Sequence, residues 1–188
     1  MTARASGGPS GTPAVLRYPE VHEEAAAPGD VHPLDREDIT HVLHMLPFLY
    51  IAGLKRIELR PRKSDRIGEP FGCYWRNERA VILYSLPKVW RLEGASAGFL
   101  RSLALFDAEC HDRQDHVVVS WPKPGSMSLW YYTHVLAHEL IHHYLGQYRE
   151  DDGLADDTDH VALARTLHGA DYMDMLAKHI AAKERSAG

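Results

Sequence analysis

Between Ser128 and His143 the chain reads SLWYYTHVLAHELIHH. Leu129, Val135, Leu136, Leu140, Ile141 and Leu145 leave such a helix apolar on most of its faces, so it has to sit in the core. Inside that apolar frame lie His138, Glu139 and His142, an H-E-x-x-H pattern. On an α-helix, His138 and His142 stand one turn apart on one face, and Glu139 is rotated about 100° from His138. Burying these three groups is costly unless they are hydrogen-bonded or hold an ion. Two neutral imidazoles at this spacing can share one metal, and zinc suits them best. Glu139 then flanks the metal and can take a proton from a zinc-bound water as general base. The plainer alternative is a core helix whose histidines are only hydrogen-bonded. Two histidines with a glutamate between them favour the metal. Ser126 or Ser128 is the expected N-cap, and Gly146 the expected residue just past the C-terminus.

A catalytic zinc takes three protein ligands and keeps one position open. His160 opens the next helical pattern after an acidic loop, and a helix–loop–helix of this length can fold it back onto His138 and His142. It is the chosen third ligand, with His168, Asp156, Asp157 and Glu150 as rivals. His134, one turn before His138, is expected near the site but not on the metal. The acidic loop over 147–159 is read as solvated; the functional alternative is a carboxylate that orients a ligating imidazole, or a preference for basic substrates.

At 188 residues and net charge −5, the chain has the size of one domain and lacks the excess of basic residues that binding to nucleic-acid phosphates requires. Cys73 and Cys110 form no C-x-x-C unit, which fits a reducing, cytoplasmic setting. No apolar run reaches membrane-spanning length, and the N-terminal residues lack an apolar stretch, so no secretory signal is expected.

Residues 1–31, rich in Gly, Pro, Ala and Glu, are expected to be a disordered tail, and 32–186 the folded domain. Asp35 is the expected cap of a first helix carrying Ile39, Val42, Leu43 and Leu46, which Pro47 ends or kinks; His41 and His44 are expected at its surface or rim. A strand over 53–60 is followed by a charged loop over 61–70 and a hairpin of 71–76 and 80–86 turning at Asn77-Glu78. The connection over 87–115 is expected to hold one short amphipathic helix, about 97–110. His116 to Trp121 reads as a further strand. The C-terminal helical pattern runs from 159 to 168 and again from 171 to 185.

The run His138-Glu-Leu-Ile-His142-His-Tyr-Leu, the acidic loop and Asp159-His160 opening a helix together resemble the zincin metallopeptidases. Within them the chain is most similar to the SprT-like branch, which includes Spartan-type proteases acting on DNA–protein crosslinks. The resemblance spans about 35–179, and only the H-E-x-x-H stretch is specific. It implies an α+β zincin-like domain: a small mixed or mostly antiparallel sheet packed on the active-site helix and a C-terminal helix. It also implies one catalytic zinc on His138, His142 and His160, Glu139 as the base, and a protein or peptide substrate laid along a sheet edge, 71–76 or 80–86. An oxyanion donor could come from Tyr144, Tyr148 or Tyr172. Leu145 stands where the metzincin pattern has its glycine, Asp159-His160 replaces the Gly-His pair of many SprT-like proteins, and no cysteine-rich ribbon follows. The zinc site is therefore carried over, but the DNA-repair role is not. Two other classes remain: a non-catalytic zinc-binding interaction module, and a zinc hydrolase of a non-protein substrate.

Overall fold

The structure, a computed structural model, describes residues 17–62, 71–148, 165–167 and 169–187. The fold is α+β. Its main sheet has the order β1(Glu20–Glu23), β3(Arg56–Arg60), β5(Ala80–Tyr84), β4(Gly72–Trp75). β1, β3 and β5 run parallel, and β4 is antiparallel to β5 at one edge. A short pair joins β2(Asp30–Val31) to β6(Leu86–Pro87), and β7(Trp90–Leu92), β9(Val117–Ser120) and β8(Glu109–Asp112) form a third, antiparallel sheet.

Sequence pattern explains these placements. β3 alternates, burying Ile57 and Leu59 and turning Arg56, Glu58 and Arg60 to the other face, where they form ion pairs. β5 reads AVILY without alternation because it lies between β3 and β4, with Ala80 to Leu83 all buried. The hairpin turn falls at Arg76 to Arg79, as the sequence indicates. The outcome settles which arm is the edge: β4 is, whereas 80–86 is interior and cannot take an added strand.

The helix α1(Arg36–Met45) starts with a capping box in which the Asp35 carboxylate accepts from the Glu37 and Asp38 amides while Asp38 accepts from the Asp35 amide. Its Ile39, Val42 and Leu43 are buried, while His44 is exposed and His41 half-buried. The C-terminal helix α5(Ala170–Ala187) packs on α1 rather than on the main sheet. Lys183 bridges Asp35 and Asp38 there, and the His179 ring stacks on His41 at 4.0 Å.

Three expectations are corrected. The segment 17–31 is folded, not part of a tail. β1 pairs with β3, and Asp30 forms a buried ion pair with Arg62 at 3.0 Å that also engages the Ser85 hydroxyl at 3.2 Å. Sequence missed this because β1 (EVHE) is a polar edge strand held mainly by backbone pairing. The connection over 87–115 holds two strands as well as a helix. That helix, α2(Ala97–Ala104), ends well short of Cys110, because Asp107 takes a left-handed φ of 61° and leads the chain into β8. The central helix starts from Gly125, not from a serine side chain, and runs past Gly146. Gly125 has φ 75°, and a Cβ there would meet Ile180 Cγ2 of α5 at 3.0 Å.

Candidate metal centre

The central helix has three parts: α3(Ser126–Tyr131), a π-helical segment Tyr132–Leu136, and α4(Ala137–Tyr148). π-segments are rare, and they change the facing of whatever precedes them. His134 shows the effect. An unbroken α-helix aligns it with His138. Here its ring stacks on Trp130 at 5.4 Å and meets Phe106 edge-on at 5.5 Å, its Nδ1 lying 3.2 Å from the Trp130 carbonyl. His134 thus belongs to an aromatic cluster of Trp90, Trp121, Trp130, Phe71 and Phe99, which joins the third sheet to the central helix.

α4 carries the candidate site. Its histidines His138 and His142 turn toward each other so that their Nε2 atoms are 2.9 Å apart, rings at 84°. As a hydrogen bond this requires one ring to carry its proton on Nε2; a metal in the same place uses both lone pairs. Tetrahedral zinc at ~2.0–2.1 Å from each nitrogen holds them about 3.4 Å apart, so small χ rotations separate this geometry from a ligating one. The pair therefore fits zinc as donors. The chosen third ligand His160 and the rivals Glu150, Asp156, Asp157 and His168 lie outside the described residues. Among the described residues no three His, Cys, Asp or Glu side chains group as metal ligands.

Glu139 is only 8% exposed, beside the pair on α4. Burial pushes its carboxyl up to about 7, partly offset by a hydrogen bond from the Tyr74 backbone N–H. That amide is available because of the sheet's register. The Tyr84 amide bonds to the Phe71 carbonyl, and Cys73 pairs with Ile82. In an antiparallel ladder, Gly72 and Tyr74 then direct their backbone groups away from β5, to the open edge. Gly72 is needed for the close approach of helix and edge: a Cβ there would lie 2.7 Å from Val135 Cγ1 and 3.1 Å from the Ile82 carbonyl. The Tyr131 hydroxyl, shared between the Phe71 and Tyr84 carbonyls at 2.9 and 2.8 Å, pins the same corner.

One residue that sequence reasoning passed over, His143, lies beside Glu139 on α4. His143 is 0% exposed; its Nδ1 lies 3.1 Å from the Tyr74 hydroxyl and its Nε2 3.2 Å from the Ala52 carbonyl. Desolvation lowers its pKa, so the ring is neutral. The available signal was its position: one residue after His142, it shares the helix flank of Glu139. Tyr144 is about 100° further round and packs against Tyr50 at 5.2 Å. The Tyr50 phenol, pushed up mainly by burial, is also raised by the nearby Tyr144 and Tyr172 phenols. Helical periodicity thus places Tyr144, packed on Tyr50, on the flank of α4 away from His138 and His142.

No helix among the described residues is long and apolar enough to cross a membrane. Comparison with protein-family models, with curated proteins and with solved structures gives no match to this chain.

Proposed function

We propose that this protein is a zinc-dependent metallopeptidase of zincin type. The observation that supports this reading best is the convergence of the His138 and His142 Nε2 atoms beside a buried carboxylate that touches an open sheet edge. His138 and His142 would hold the metal with His160 as third ligand. Bound zinc would supply Lewis acidity toward a peptide carbonyl and acidify a water.

The chain's own residues supply the rest. Glu139, poised near neutrality by burial, accepts the proton of the attacking water and returns it to the departing amine. Burial removes competing solvent from the carboxylate and so strengthens its hold on the transferred proton. The outward backbone groups of Gly72 and the outward Tyr74 carbonyl on β4 can pair with an extended peptide, fixing its scissile bond along the edge. The same burial weighs against a purely structural metal site, which has no use for a carboxylate held at a destabilising cost. The SprT-like affinity and a cytoplasmic location belong to the same proposal.

The test is metal content followed by turnover. The expected result is one zinc per chain, lost or strongly weakened in His142→Ala and His160→Ala and retained in Glu139→Gln. Cleavage of denatured proteins or peptides should be abolished by Glu139→Gln. Zinc kept by the His160→Ala variant moves the third ligand to a neighbour. Absence of zinc from the zinc-supplemented wild type refutes the metal centre, and cleavage at the wild-type rate by Glu139→Gln refutes the assigned base.

A further inference from the structure

His143 presents a puzzle that the proposed chemistry leaves open. A wholly enclosed imidazole costs desolvation free energy that leucine or phenylalanine would avoid. Its hydrogen bonds show what is gained. The Ala52 carbonyl can only accept, so Nε2 carries the ring proton, and Nδ1 then accepts from the Tyr74 hydroxyl. The ring thus ties α4 to the loop before β3 on one side and to β4 on the other. The Tyr74 ring meets it edge-on at 5.3 Å and 72°, which restricts their relative rotation. Tyr74 is also the residue whose backbone N–H donates to Glu139. One residue of the edge strand therefore bonds α4 twice, through its main chain to Glu139 and through its side chain to His143, four positions along the helix.

We infer that His143 and Tyr74 are positioning residues: the Ala52–His143–Tyr74 clamp fixes the rotation of α4 against β4, and so holds the Glu139 carboxylate on the edge-strand amide where water and peptide meet. This deepens the peptidase reading and rests on it for its catalytic consequence. The clamp itself is a geometric claim with its own readout. Neither residue touches the metal or the reacting atoms; each acts through Glu139 and the β4 backbone.

Amide hydrogen exchange at position 74 tests it without any substrate. The Tyr74 amide points away from β5 toward Glu139, whereas Cys73 and Ile82 pair across β4 and β5. In Tyr74→Phe, which keeps the main-chain donor and removes only the hydroxyl, exchange at position 74 should rise about ten-fold while the Cys73 and Ile82 amides hold. His143→Leu should do the same, and His143→Gln, with one donor and one acceptor, should restore part of the protection. Unchanged exchange at position 74, or an equal loss at Cys73 and Ile82, overturns the clamp and leaves ordinary packing. On a cleaved peptide, Tyr74→Phe should lower kcat about ten-fold with KM and zinc content little changed. An unchanged kcat overturns the catalytic consequence. If the wild type cleaves no peptide, the peptidase reading fails, and the exchange data still decide the clamp.

Discussion

Glu139 makes the most demanding prediction, because the burial that raises its carboxyl should also weaken the fold. Its carboxyl is 8% exposed and titrates near about 7, against a usual value of 4.5, because burial disfavours the charge more than the Tyr74 amide supports it. Between those two pH values the unfolded chain has released this proton and the folded chain still holds it. Folded protein then binds more protons than unfolded, so stability falls as pH rises through this window. The gap corresponds to roughly 3 kcal/mol of stability, fully present below pH ~4.5 and lost above pH ~7. Glu139→Gln removes the titration and keeps an acceptor for the Tyr74 amide. The variant's stability advantage over wild type should therefore grow by about 3 kcal/mol between pH 4 and pH 8. In a chain of this length that is roughly 6–12 °C in Tm. The assay is urea unfolding of both proteins in excess chelator across that range; titration of His138 and His142 is common to both and largely leaves the difference. An advantage that stays flat with pH, or that shrinks as pH rises, refutes the account of a buried, raised carboxyl.

Other predictions concern the frame. Gly72→Ala should cost about 1–3 kcal/mol, since its Cβ would lie 2.7 Å from Val135 Cγ1; adding Val135→Ala should recover part of the loss, and strictly additive effects in denaturant unfolding would deny the contact. Asp30→Ala removes a carboxylate whose side chain is 2% exposed and which Arg62 and the Ser85 hydroxyl both engage, and should cost about 1–3 kcal/mol in the same assay. Trp130→Ala removes the centre of the aromatic cluster between the third sheet and the central helix, and should cost about 3–5 kcal/mol, read as a lowered Tm.

Much of the frame was legible because the signals are local. The Asp35 cap, the alternation of β3, the hairpin turn and the unbroken apolar run of β5 each follow from spacing over a few residues. The site was legible where chemistry and helical period coincide: the Nε2 atoms of His138 and His142 converge as a four-residue spacing on one helix dictates. Signals failed where the deciding partner is distant in sequence. β1 has too little apolar content to announce itself and is made a strand by β3. Gly146, a common helix terminator, sits within α4. His134, in register with His138 and His142 on paper, is turned onto Trp130 past the π-segment.

By itself, the sequence determined that a buried helix carries two histidines and a glutamate at metal-binding spacing, since residue type and a 3.6-residue period are sufficient for that. Tertiary structure alone decided what surrounds them. Which hairpin arm is the edge depends on β3 pairing with β5 and leaving β4 outermost. The basicity of Glu139 depends on burial, and on the main-chain amide of a residue 65 positions earlier in the chain, Tyr74. The meaning of His143 depends on the Tyr74 hydroxyl and the Ala52 carbonyl. Spacing along one helix is a property of the chain; desolvation and hydrogen-bond partnership arise only when separate segments meet.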